Sequence, residues 1–221
     1  MKLFNYILYE NGHNKLNIYL KENLMKKLSF TLLIIFEIIL FIKVVICIFA
    51  KQWTELYLSL LTIIIFLMPF LITYISKKKK VNLPYNFNLV SIIFIFLALY
   101  LGEILNFYDK FWFWDLFLHS VFGFYVVIIS YHLIEGVIIN STKTSKKRFL
   151  FIKTLFSFSF TVTLGVLWEL FESAGDLLAN SQMVKGGLED SASDLLVKII
   201  AAFVTSIYYH IKLNNKLKKD N

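Results

Sequence analysis

The sequence predicts an all-α fold, a polytopic membrane helix bundle of about six transmembrane helices with both termini on the cytoplasmic side. Three observations carry that expectation. Of the 221 residues, 58% are apolar and only 17% charged, with a mean hydropathy of +0.67. A soluble domain carries roughly 45–50% apolar and about 25% charged residues, so one small core cannot hide this excess and a water-soluble enzyme is excluded. The apolar residues fall in runs of the length, about 20 residues, that crosses a hydrocarbon layer. Finally, the runs lack the period-2 alternation of a membrane β-barrel. Two prolines and eight glycines exclude a collagen-like or disordered chain. The single cysteine, Cys47, lies in an apolar run, which excludes a disulfide framework and any cysteine-based metal cluster.

The elements follow in order. Residues 1–27 are expected as a cytoplasmic or interfacial segment. Its Leu16, Leu20, Leu24 and Leu28 recur every four residues, as in a helix lying on the bilayer surface, a solvated tail being the alternative. Because this polar stretch precedes the first apolar run, no signal peptide is expected. Residues 28–211 form the bundle, with spans at Leu28–Ala50, Leu56–Ile75, Phe87–Leu105, Leu116–Ile139, Phe149–Phe171 and Leu195–Ile211. The last is short and is expected to gain a turn from Ser191–Asp194. Residues 212–221 form a basic cytoplasmic tail. Glu37 and Lys43 lie six residues apart in the first span, on different faces, so each contacts another helix or snorkels. Gly123 and Gly165 offer small surfaces for close helix approach, and Gly186-Gly187 punctuates a loop. His132 and Glu135 are expected near the interface, and His13 and His210 as ordinary flanking residues.

Orientation follows from the basic residues. One side gathers eighteen of them: five from Lys2 to Lys27, Lys77–Lys80, Lys143, Lys146, Lys147, Arg148, Lys153, and then Lys212, Lys216, Lys218 and Lys219. The other side holds three, Lys51, Lys110 and Lys185, while Lys43 and Lys198 fall inside helices. The positive-inside rule puts the rich side in the cytoplasm, and Trp53, Trp112, Trp114 and Trp168 map to the opposite interface. The expected location is the cell membrane. The net charge of +8 sits in short runs between apolar segments, so membrane lipids, not nucleic acid, are the expected partners.

The acids are placed unevenly. Nine of the 15 fall at the outer ends of the last four spans: Glu103, Asp109, Asp115, Glu169, Glu172, Asp176, Glu189, Asp190 and Asp194. His119 joins them. Asp115 and His119 are i,i+4; Glu169, Glu172 and Asp176 are i,i+3,i+7; Asp190 and Asp194 are again i,i+4, so each set shares a helix face. Carboxylates near hydrocarbon are costly unless paired, protonated or bound to a cation. Several carboxylates with one imidazole make a hard, oxygen-rich donor set that suits Mg²⁺, Mn²⁺, Fe²⁺ or Zn²⁺. Asp115, His119, Glu169, Glu172, Asp190 and Asp194 are the expected ligands, with Glu103 and Asp176 secondary and with His119 or Glu172 as the candidate general base. Helix capping on a side that excludes lysine explains Asp109, Asp176 and Glu189 equally well. Neither a phosphate-binding loop, nor a nucleophile elbow, nor an inverted repeat is evident.

Two stretches carry a resemblance. Trp114-Asp115-x-x-x-His119-x-x-x-Gly123, and Gly165-Val-Leu-Trp168-Glu169-Leu-Phe-Glu172 followed by Asp176 and Asp190-x-x-x-Asp194, resemble the YjdF-like bacterial membrane proteins over roughly residues 95–210. Ser191 stands where that family often has threonine. The layout is more distantly similar to VanZ-like proteins, associated with glycopeptide resistance, in which glutamine typically replaces the second glutamate of the pair. The resemblance implies a helical membrane fold and a shared residue set. Three functions stay open: a metal-assisted site acting on a lipid or cell-envelope head group, a proton- or cation-coupled transporter, and a scaffold whose acids lock helices together.

Overall fold

The computed structural model describes the backbone of residues 2–137, 145–179, 184 and 187–219, with side chains from residue 19 onward except around residues 135–137 and 179. The expectations attached to Lys143, Lys185 and Gly186, and to the side chains of His13, Leu16 and Glu135, lie outside the described residues. Among the described residues seven α-helices follow one another: α1 Lys2–Ala50, α2 Trp53–Lys78, α3 Phe87–Ile95, α4 Phe107–Lys110, α5 Trp114–Val137, α6 Lys146–Ala179 and α7 Leu188–Lys219. A π-helical stretch, Phe96–Ile104, continues α3. Among the described residues there is no strand, and six helical segments are long and apolar enough to cross a membrane.

Four of the expected spans lie whole within these segments, whose helices overrun the apolar runs; Phe87–Leu105 ends one residue past the π-helical stretch, and the end of Leu116–Ile139 lies outside the described residues. α1 begins at Lys2, so no helix boundary falls at residue 27 or 28; α7 starts before Ser191 and passes residue 211. The span expected to end at Phe171 belongs to a longer helix, because α6 continues to Ala179. Polar residues at a helix end exclude it from hydrocarbon without breaking its hydrogen bonds. Gly175, between Phe171 and Ala179, weakens a helix by only about 1 kcal/mol and does not end α6. α1 and α2 end without glycine: Lys51 and Lys80 each take φ of 56°. In both, the next two amides turn back, Lys51 N to Ile48 O at 3.3 Å and Gln52 N to Cys47 O at 2.9 Å in the first case. This is the Schellman closure of a helix end.

The chain divides into two compact units, residues 1–75 with 85–106, and residues 76–84 with 107–221. In the first, Leu33, Leu40, Phe66, Ile92 and Ile104 form the core, and Phe36 stacks on Phe96 at 4.0 Å between ring centroids. Lys43 reaches Glu55 at the start of α2, at 2.5 Å. In the second unit α5, α6 and α7 pack pairwise. Their buried faces run in four-residue rows, the ridges of helix packing: Lys153, Ser157, Thr161, Gly165 and Glu169 on α6, and Asp194, Lys198 and Ala202 on α7. Gly123 of α5 abuts the α7 backbone so closely that a Cβ there would lie 2.6 Å from the Lys198 carbonyl oxygen. Tyr131 donates to Thr154 Oγ1 at 2.8 Å, and Thr154 meets His210 Nδ1 at 2.9 Å, so His210 is a tie between helices rather than an ordinary flanking residue.

Candidate metal centre

Asp115 opens α5 in its first turn, and His119 follows one turn later on the same face. The helical repeat that the sequence implied brings His119 Nε2 to 3.2 Å from Asp115 Oδ1. Asp194, from α7, reaches the same nitrogen with Oδ2 at 3.5 Å. His119 also groups with Glu169 and Glu172 of α6; in each of the two groups the donor atoms lie within 4.8 Å of one another. Three helices therefore converge on one imidazole.

Burial grades the donors. His119, Glu169 and Asp194 are buried, whereas Asp115 and Glu172 are partly open. The Trp168 indole hydrogen-bonds Glu172 one turn along α6. Asp194 Oδ1 and Glu169 Oε2 are enclosed with no hydrogen-bond partner. A buried carboxylate oxygen in that state retains the full cost of its desolvation, and four carboxylates here face one lysine and one imidazole. Nε2 itself faces two carboxylates, yet a single N–H can point at only one of them squarely. A cation among these groups would relieve both problems. Ligands around an ion at ~2.1 Å stand about 3.0 Å apart when adjacent and about 4.2 Å apart when opposite, so the observed spacings need only modest contraction.

The remaining sequence candidates fall elsewhere. Asp190 is a partly buried residue in the first turn of α7 and belongs to neither donor group. Asp176 Oδ2 accepts the Val184 backbone N–H at 2.9 Å, tying down the segment after α6. Glu103 is an exposed residue of the π-helical stretch in the first unit, and Asp109 and Glu189 are exposed.

One participant was missed. Lys198 is 1% exposed, and its ammonium pairs with Glu169 Oε1. It stands one turn beyond Asp194 on α7, and that i,i+4 spacing from an intramembrane acid was the signal that could have found it. Gly165 of α6 makes room for its stem: a Cβ there would sit 3.4 Å from Lys198 Cδ.

No solved structure matches the chain. A protein of Thermotoga maritima described as uncharacterized is 28% identical over 141 residues, spanning 62% of this chain and 69% of that relative. The family described as "Predicted membrane protein (DUF2238)" matches residues 31–215, and this chain, a multi-pass membrane protein with six apolar helical segments, belongs to it.

Proposed function

We propose that Asp115, His119, Glu169, Glu172 and Asp194 hold a divalent cation (Mg²⁺, Mn²⁺, Fe²⁺ or Zn²⁺) and present it to a lipid or cell-envelope head group. The observation that carries this reading is the pair of enclosed, unpartnered oxygens, Asp194 Oδ1 and Glu169 Oε2, in one cluster about His119. Lys198 engages only one oxygen of Glu169, which leaves the other for the ion. Hard oxygen donors with one imidazole match these metals. A bound ion would polarise a phosphate or carbonyl oxygen, with the more open Glu172 or His119 taking a proton from water. An apolar groove of about 460 Å³ between α5 and α7 supports a lipid substrate. Phe117 and Ser120, on either side of His119 in α5, and Val197, three residues beyond Asp194, line it, and Phe124 and Val204 continue it as a bed for an acyl chain. The likeness of the Trp114–Gly123 and Gly165–Asp194 motifs to YjdF-like and VanZ-like proteins supports an envelope substrate further.

A proton- or cation-coupled carrier is the second reading, favoured by the buried hydroxyls of Ser157, Thr161, Thr205 and Ser206 on the inner faces of α6 and α7. Metal analysis of the purified protein separates the two. A stoichiometric divalent ion is expected in the wild type and in Asp109→Asn, but not in Asp115→Asn or Asp194→Asn. Chelator should lower the wild-type Tm, by an amount set by free ion over Kd, and leave Asp194→Asn unmoved. If no ion copurifies or binds on titration and chelator changes nothing, the metal reading fails and the carrier and scaffold readings remain.

A further inference from the structure

The donors of the acidic centre fall into two groups that share His119: Asp115 with Asp194, and Glu169 with Glu172. The two sides are not alike. His119 Nε2 stands 3.2 Å from Asp115 Oδ1 and 3.5 Å from Asp194 Oδ2, and an imidazole nitrogen has one lone pair, so it serves one ion, on that side. On the other side a cation is built into the chain. The Lys198 ammonium pairs with Glu169 Oε1, and its charge acts on Glu172 as well. Glu169 thus gives one oxygen to the ammonium, while its Oε2 and Asp194 Oδ1 are enclosed with no hydrogen-bond partner. A carboxylate with one oxygen on each of two cations has the arrangement of a bridge in a two-metal site, where the ions stand about 3.5–4 Å apart.

Charge leads to the same place. Ionised Asp115, Glu169, Glu172 and Asp194 are largely compensated by Lys198 and one divalent ion. Without the lysine, the remaining excess would equal the charge of a further divalent ion, and like charges in a low dielectric repel strongly. The ammonium is also fixed in place: Lys198 is 1% exposed, and its stem packs on Gly165 of α6. We propose that Lys198 occupies the second-cation position of a two-cation site, so that the centre takes one divalent ion and the ammonium supplies the charge of the other. This deepens the metal reading above and rests on it.

The test uses the full chain in a neutral detergent, stripped with chelator and titrated with Mn²⁺. Wild type should bind one Mn²⁺ per chain, with the paramagnetic resonance of an isolated ion. Lys198→Met should bind two, with the broadened, exchange-coupled signal of a pair, and Mn²⁺ should raise its Tm more than that of the wild type. A lysine that only fastened α6 to α7 would alter Tm without changing the ion count. Two ions in the wild type, or one isolated ion in Lys198→Met, would overturn the proposal and leave the metal reading intact; no ion in the wild type would end both. Because Lys198→Met strips Glu169 of a buried partner, it is expressed and purified with Mn²⁺ present throughout, and Lys198→Gln is carried beside it. If neither variant folds with Mn²⁺ present, an ion does not take the lysine's place and the proposal fails.

Discussion

Lys198 occupies a place that water cannot reach, pressed between glycines of two other helices and closed by the carboxylate of Glu169. Removing one partner of a buried ion pair leaves the other charge without compensation, which costs about 3–5 kcal/mol, whereas removing both together is often nearly neutral. Lys198→Met should therefore destabilise by about that amount, and Glu169→Gln/Lys198→Met by clearly less than the two single changes combined, read as denaturation midpoints in detergent. Strictly additive losses would mean that the two side chains do not stabilise each other. The His119–Asp115 contact was legible in the sequence because it depends only on the helical repeat of α5. The Glu169–Lys198 pair was not: 29 residues separate its members, and the pairing depends on which faces of α6 and α7 meet. A count of charges by side assigns Lys198 to neither side and so passes over it.

Helix packing supplies that missing information through small residues. At Gly123 an added methyl would strike backbone, the Lys198 carbonyl, at 2.6 Å, and backbone cannot rotate away. At Gly165 the nearest atoms are side-chain carbons at 3.4 and 3.8 Å, ordinary contact distances. Gly123→Ala should accordingly cost about 1–3 kcal/mol by forcing α5 from α7. Gly165→Ala should stay near neutral, the gain in helix propensity offsetting a tight fit. Equal Tm losses for the two variants would show that close approach of α5 and α7 is not what Gly123 serves. The sequence marked both glycines as approach points but could not rank them, since the ranking resides in distances. Helix lengths were hidden for a different reason. An apolar run reports the hydrocarbon thickness, not the hydrogen-bonded length. At 1.5 Å per residue the 34 residues of α6 extend about 51 Å, well past a core of ~30 Å. The π-helical stretch after α3, where Leu105 N reaches back five residues to Tyr100 O at 3.0 Å, has no periodicity that a hydropathy pattern would register.

For the whole molecule, six apolar segments were legible because burial in lipid demands length and composition alone, and the structure bears out that all-helical, multi-pass architecture. Orientation rests on the basic residues, eighteen against three. In a Cys47→Ala background, Trp112→Cys should react with an impermeant maleimide in intact cells, and Lys79→Cys only after the membrane is opened; the reverse pattern would invert the topology. Removing Cys47 clears a buried thiol that would otherwise confuse the labelling. The enclosed Lys198 also bears on how the chain enters the bilayer. An aspartate or lysine at the centre of a segment costs about 2.5–3.5 kcal/mol on insertion. The last segment carries both Asp194 and Lys198, and its mean hydropathy, 1.4, is the lowest of the six. Partitioning of α7 as an isolated helix is thus opposed by its own side chains, and is eased once Glu169 neutralises the ammonium. The expected consequence for biogenesis is an order: α6 and α7 leave the translocon as a paired hairpin, so that Glu169→Gln should lower the inserted fraction of α7 in a glycosylation-mapping assay, and an unchanged fraction would rule the order out.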